Sequence, residues 1–392
     1  MEKIVIIAAS RTAMGSFQGS FSTLSAPDLG AVVIQNVVEQ ANIPVDDIDE
    51  VIMGCVLPAG VKQGPARQAM RQAGLPDHVG ATTINKVCGS GMKATMQASD
   101  AIKAGSAKII VIGGMESMTN APYLLPKARS GYRMGHGQVI DHMFMDGLED
   151  AGTGRAMGSF AQDMADKKGY SREQMDEFAI RSLTRAQKAI AEGYFKNEIT
   201  AVKVTTRKGE VTIDVDENPA NAKIDKIPTL RAAFAKDGTI TAANSSSISD
   251  GASALLITSE SEANKRNLAV LAEIKGYATN SQLPEEFTIA PVGAIEKLLK
   301  NVGWSAEDVD LWEINEAFAM VTMAAIDAFK LDPEKVNVNG GACALGHPLG
   351  SSGSRIIVTL IHALKRLGKS KGVAALCIGG GEATAIAIEV KA

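Results

Sequence analysis

The chain has 392 residues, of which 45% are hydrophobic, and sets 40 Lys+Arg against 44 Asp+Glu for a net charge of −4. That balance excludes disorder as the main state and a general affinity for nucleic acid or acidic membranes. No run approaches the ~20 apolar residues of a membrane span, and ~150 residues per domain implies two or three domains.

The opening residues 1–9 (MEKIVIIAA) read as a buried strand rather than a leader peptide. Short apolar strands then alternate with amphipathic helices, the pattern of an α/β fold. A strand is expected at 4–7, a helix over 28–41, a strand at 51–53 and a helix over 93–104. Another strand, 109–112, should end at Gly113-Gly114. The stretch 119–243 is richer in Gly, Met and polar residues. It holds one clear helical segment, 172–192, and a turn-rich region around Asn218-Pro219. It reads as an insertion suited to cover a ligand, with an ordinary structural domain as the alternative.

Beyond the insertion the sequence repeats itself. Pro27 and Pro291 each open a helix that leads through an acidic turn (DDID at 46–49, EDVD at 307–310) to a strand. Ile84-Asn85 leads through Cys88 to Ser90-Gly91 and a helix. Val338-Asn339 leads through His347 to Ser352-Gly353 and a helix. IIVIGGME at 109–116 then matches ALCIGGGE at 375–382. A period this long implies two similar α/β halves packed together, not a solenoid. The expected domains are 1–118 with 244–270, the insertion 119–243, and 271–392.

Four cysteines are too sparse for a secreted disulfide framework, so a cytoplasmic location is expected. Cys88 sits between a strand and a helix in NKVCGSG. Glycines allow a tight turn there, and a helix N-terminus favours a thiolate. A small residue filling the turn is the alternative reading. His347, in GGACALGHPLGSSG, holds the corresponding position of the second half, where a base could take a thiol's proton. Cys377 lies in CIGGG at a strand end, where ligands gather in α/β sheets and free amides stabilise an oxyanion. Asn315 ends another strand and suits either an oxyanion contact or a helix cap. His78, His136, His142 and His362 read as surface or core residues, as Cys55 and Cys343 read as structural. The Cys343/His347 spacing lacks the second ligand pair of a zinc site.

Together, CGSG at Cys88, NEAF at Asn315, GHPLGSSG at His347 and CIGGG at Cys377 resemble the thiolase family over the whole chain. The resemblance implies two βαβαβαββ halves in layers plus an inserted loop domain. It implies Cys88 as the acylated nucleophile, His347 as its base and Cys377 as acid and base at the second acyl group. One oxyanion hole would use His347 and an Asn315-held water, the other the amides of Cys88 and Gly379. Ser246 matches a contact to the pantetheine arm. Leu148, Leu230, Phe234, Ala242 and Phe318 match apolar contacts to CoA, and Met157 a residue beside the acyl group. Acetyl-CoA, acetoacetyl-CoA and CoA are the implied ligands, as substrates, with no separate cofactor and no metal.

The segment 132–150 resembles that of short-chain acetoacetyl-CoA thiolases, which implies a homotetramer. Three departures concern acyl length and CoA contacts: Ala156 where many members carry histidine, FTIAP at 287–291, and Pro219 where some carry arginine, with Lys223 and Lys226 nearby. The expected activity is reversible condensation of two acetyl-CoA by a ping-pong route. A 3-ketoacyl-CoA thiolase of broader chain length is the alternative. A ketoacyl synthase lacks the second cysteine, and a non-catalytic acyl-CoA carrier would not need it.

Overall fold

The computed structural model describes residues 2–391. A ten-stranded mixed sheet organises it. The front strands are β1 (Ile4–Arg11), β2 (Glu50–Gly54), β3 (Gly80–Ile84), β4 (Ile109–Ser117) and β5 (Ser249–Ser259). The rear strands are β6 (Ala272–Ser281), β7 (Leu311–Ile314), β8 (Lys371–Ile378) and β9 (Glu382–Glu389). They lie in the order β7-β8-β9-β6-β1-β5-β4-β2-β3. Counted within its own half, each set runs third, second, fourth, fifth, first. Parallel pairing at the outer strands and antiparallel pairing at the inner ones is the same in both. The halves join where β1 meets β6 antiparallel, Ile4 opposite Ile274 and Ile6 opposite Ala272.

The repeat departs from expectation at one strand. No strand forms at 338–339, and the third place of the rear half is reduced to a bridge between Trp312 and Val336. The Asn337 side chain substitutes for the missing ladder. Its Oδ1 accepts from Ile314 N at 2.8 Å and its Nδ2 donates to Ile314 O at 2.9 Å. Nor does β4 end at Gly113-Gly114; it runs on to Ser117. The glycines serve packing there, since a Cβ on Gly114 would lie 1.8 Å from Gly350 O.

The main helices are α1 (Ala26–Ala41), α2 (Ser90–Lys103), α3 (Met157–Lys168), α4 (Arg172–Ala191), α5 (Ala290–Val302), α6 (Ala319–Phe329) and α7 (Leu349–Leu367). Side chains alternate across each strand, so each strand feeds two cores. Ile4 and Ile6 join an inner core with α2 and α7, while Val5 and Ile7 pack outward with α1. On β9, Ile386 and Ile388 face the same inner core, and Ala385 and Ala387 pack against α5. The result is five layers, with α2 and α7 in the middle. Helix α7 is buried without a break from Leu349 to Ile361. Small residues let the two central helices meet at their first turns. A Cβ on Gly91 would lie 2.5 Å from Ser354 Oγ, and one on Gly353 would lie 2.5 Å from Met92 N. This crossing draws together the two turns that precede the helices, which carry Cys88 and His347.

The inserted segment leaves β4 and returns at β5. It holds α3, which the sequence reading missed, α4 as expected, and two short hairpins. The region around Asn218-Pro219 is a short helix, Glu217–Asn221. Proline sits in its first turn, where the missing N–H costs nothing. The fully buried Arg11 ties the insertion to β1. It donates to Glu198 at 2.6 Å and, in bidentate fashion, to Asp216 at 2.7 and 2.9 Å. Phe160, Met164 and Phe178 of the insertion pack with Phe287, Phe318 and Cys377, so this segment covers the end of β8. No helix among the described residues is long and apolar enough to cross a membrane.

Candidate active site

Cys88 follows a strained residue. Val87 has φ +45°, which a β-branched side chain rarely adopts and which costs about 1–3 kcal/mol. The turn is held around it. Asn85 Oδ1 accepts from Val87 N at 2.9 Å, Ser90 Oγ donates to Val87 O at 2.6 Å, and Lys86 N donates to Ser90 Oγ at 2.9 Å. The strain presents the Cys88 sulfur to a cavity of about 240 Å³. The nearby amides of Gly379 and of Cys88 itself favour its charged form. Burial nevertheless dominates and pushes the thiol up to about 11. The expected helix-terminus activation is therefore outweighed by desolvation.

His347 lines the same cavity. Its Nδ1 lies 2.5 Å from Ser352 Oγ, and that hydroxyl donates to Pro348 O at 2.9 Å. With the hydroxyl proton so engaged, Nδ1 must be the donor, which leaves Nε2 as a lone pair. Nε2 is buried and has no protein partner. Burial, aided by the charge of Arg355, lowers the imidazole to about 3. Cys377 is wholly buried on the same cavity wall, and burial and the neighbouring Cys88 raise its thiol. The site at rest is thus two neutral thiols and a neutral base.

Gly379, Leu148, Met157, Phe234, Ser246 and Phe318 also line this cavity. Leu230 and Ala242 do not. They line a separate cleft of about 320 Å³ with Lys223, Lys226 and Ser247. The chain at 242–247 passes between the two spaces, with Ser245 and Ser246 facing one and Ala242, Ala243 and Ser247 the other. Asn315 lies outside the cavity lining and is buried. Its Oδ1 accepts from Arg355 Nη2 at 3.5 Å, and its Nδ2 has no protein partner. It is not a helix cap, since Phe318 holds that place for α6. Ala156 and Phe287, two of the departures, stand in the cavity wall. Phe287 meets Phe318 edge to face, ring centres 6.4 Å apart.

The remaining histidines lie elsewhere. His142 Nδ1 is 2.5 Å from Asp146 Oδ2, His362 Nε2 is 3.3 Å from Ala9 O, and His78 and His136 are exposed. Cys55 donates to Glu116, and Cys343 donates to Glu316 O at 3.5 Å. The sequence reading missed Ser352, Glu116 and Arg355. Arg355 left a signal, as a lone charge inside the apolar stretch of α7. Glu116 left another, as the last residue of a repeated strand motif.

Comparison with known proteins covers the whole chain. A family profile described as "Thiolase, N-terminal domain" matches residues 4–261, and one described as "Thiolase, C-terminal domain" matches 268–390. An acetyl-CoA acetyltransferase of Escherichia coli K12 is 50% identical over 391 residues, covering 99% of each chain. One from Pseudomonas aeruginosa is 48% identical over 390 residues, again covering 99% of each. The crystal structure of a Bacillus anthracis acetyl-CoA acetyltransferase superposes with a TM-score of 0.97 at 41% identity, covering 100% of this chain and 99% of that one. That of the Acat5 thiolase from Ascaris suum in complex with coenzyme A gives 0.94 at 42% identity, with full coverage of both.

Proposed function

We propose, for a chain that belongs to the thiolase family, that it joins two acetyl-CoA reversibly into acetoacetyl-CoA and CoA through an acetyl group carried on Cys88. One observation carries this reading. Cys88, Cys377, Gly379 and a His347 whose buried Nε2 has no protein partner line one cavity together.

His347 Nε2 takes the Cys88 proton as sulfur attacks the thioester carbon of the first acetyl-CoA. The tetrahedral oxyanion accepts from Gly379 N and Cys88 N. Collapse expels CoA as thiolate, which takes the proton back from His347. In the second half, Cys377 passes its thiol proton to His347 Nε2 and, now a thiolate, removes an α-proton from the next acetyl-CoA. The enolate oxygen lies toward His347 and the Asn315 amide, whose free Nδ2 suits a bridging water. The α-carbon then attacks the acetyl carbon, and Cys88 leaves as thiolate and takes the proton that His347 holds. Loss of one oxyanion donor costs about 10²–10³ in rate.

The extended CoA arm would run along Ser246, with its phosphates at the cleft that Lys223 and Lys226 line. Relatives named acetyl-CoA acetyltransferase and a neighbour crystallised with coenzyme A support this ligand. Tyr123, Leu125, Met134 and Val139 of the insertion are exposed and suit burial against further copies in a homotetramer. Free cysteines throughout fit a reducing cytoplasm.

The test mixes the protein with acetyl-CoA and reads intact mass. One added acetyl group, mapped to Cys88 and cleared by CoA, is the expected result. Thiolysis of acetoacetyl-CoA is then compared with that of a medium-chain 3-ketoacyl-CoA. Faster turnover of the longer substrate would give the broader chain-length activity instead. A mass unchanged by acetyl-CoA would refute the covalent route.

A further inference from the structure

Helix α7 has no side-chain cap of its own. Pro348 holds the N-cap position and has no side-chain acceptor to offer; its carbonyl takes Ser351 N and Ser352 N at 3.0 Å and leaves the N–H groups before them without a partner in the helix. Donors at a buried helix start need partners from elsewhere. Here the partner comes from the opposite half. The buried Glu116, on β4, accepts from Gly350 N at 2.8 Å and Val56 N at 2.9 Å through Oε2, and from Leu57 N at 3.1 Å through Oε1. Burial pushes the Glu116 carboxyl up to about 7, while the three N–H groups and the helix start favour its charged form. Gly350 is three residues past His347.

The repeat places Glu382 where Glu116 stands in the front half. Glu382 also reaches across. Its Oε2 accepts from Lys86 Nζ at 2.7 Å, and Lys86 lies two residues before Cys88 in the strained turn. Ser281 Oγ donates to its other oxygen at 3.0 Å, which fixes the carboxylate from its own half. Glu116 and Glu382 line neither the cavity nor the cleft.

We infer that the repeated glutamates Glu116 and Glu382 form a reciprocal pair of positioning residues, each bracing the turn that carries the opposite half's catalytic side chain. Glu116 sets the start of α7 and with it His347. Glu382 sets Lys86 and with it Cys88. Neither touches substrate; both act by holding base and nucleophile in register, where an error of about 1 Å costs up to ~100-fold in rate. The inference rests on the roles proposed above for Cys88 and His347.

The test measures thiolysis of acetoacetyl-CoA for Glu116→Gln, Glu382→Gln and the exchanged pair Lys86→Glu/Glu382→Lys, with His347→Ala alongside. Expected is a fall in kcat of about 10–100-fold for Glu116→Gln and about 3–10-fold for Glu382→Gln, with KM within about twofold of wild type. The exchanged pair recovers kcat to within about threefold, because the cross-half attraction returns. Glu382 is partly exposed, so its variants fold, and they decide the matter should Glu116→Gln be insoluble. A kcat for Glu382→Gln within twofold of wild type overturns the inference, as does a loss confined to KM or an exchanged pair that recovers nothing. Full activity in His347→Ala would instead overturn the underlying assignment of the base.

Discussion

Raising the pH titrates Cys88 against the burial that opposes its ionisation. That burial lifts the thiol from an ordinary 9.0 to about 11. At about 1.4 kcal/mol per pKa unit, the bare thiolate is disfavoured by about 3 kcal/mol. At neutral pH about one molecule in 10⁴ then carries a thiolate, against about one in 10² for a thiol at the ordinary value. His347 does not change this, because its own ionisation is held down to about 3 and no thiolate–imidazolium pair forms at rest. The folded state binds this proton more tightly than the unfolded chain. Its contribution to stability is therefore present below about pH 9 and lost as pH climbs through about 11. The assay is carboxamidomethylation of substrate-free enzyme by iodoacetamide, mapped to Cys88 by peptide mass across a pH series. The rate is expected to rise about tenfold per pH unit through about pH 9 without levelling, and His347→Ala is expected to follow the same line. A plateau below about pH 8 would mean a preformed ion pair and would refute the reasoning from burial.

Arg11→Met leaves Glu198 and Asp216 buried without their cation and is expected to destabilise by about 3–5 kcal/mol in urea unfolding. Adding Glu198→Gln and Asp216→Asn should recover most of that loss; no recovery would mean the charges were not its cause. Gly91→Ala places a Cβ 2.5 Å from Ser354 Oγ and 2.7 Å from Ser354 N. It should cost about 1–3 kcal/mol and lower kcat, and wild-type values for both would show that the helix crossing is not tight. Phe287→Leu opens the wall opposite Phe318 and is expected to raise the medium-chain to acetoacetyl-CoA rate ratio about tenfold, read by parallel thiolysis assays. An unchanged ratio would remove Phe287 from control of acyl length.

Much of the fold was legible because both halves were written out twice. Two runs of matching motifs implied two matching topologies, and the order third, second, fourth, fifth, first appears in each. The turns at Cys88 and His347 were legible because glycine and serine concentrate where central helices must touch. What stayed hidden depends on partners distant in sequence. The missing strand at 338–339 is replaced by one Asn337 side chain, and an asparagine in a loop gives no hint that it will pair like backbone. Gly113-Gly114 looked like a strand end because glycine usually interrupts strands. Here it admits another helix. Leu230 and Ala242 matched ligand contacts by motif, yet which of two spaces a side chain faces is set by packing around 242–247. Val87 gave no sign of its strained backbone, because a valine before a cysteine reads as ordinary strand.

The placing of Cys88 in one half and of His347 and Gly379 in the other has, on the roles proposed for them, a consequence during synthesis. The reactive sulfur leaves the ribosome early, while its proton acceptor and the amide of Gly379 emerge only near the end. A nascent or half-assembled chain consequently carries the cysteine without those partners. On the proposed roles, only completion of the fold brings the imidazole of His347 and the amide of Gly379 to the sulfur of Cys88.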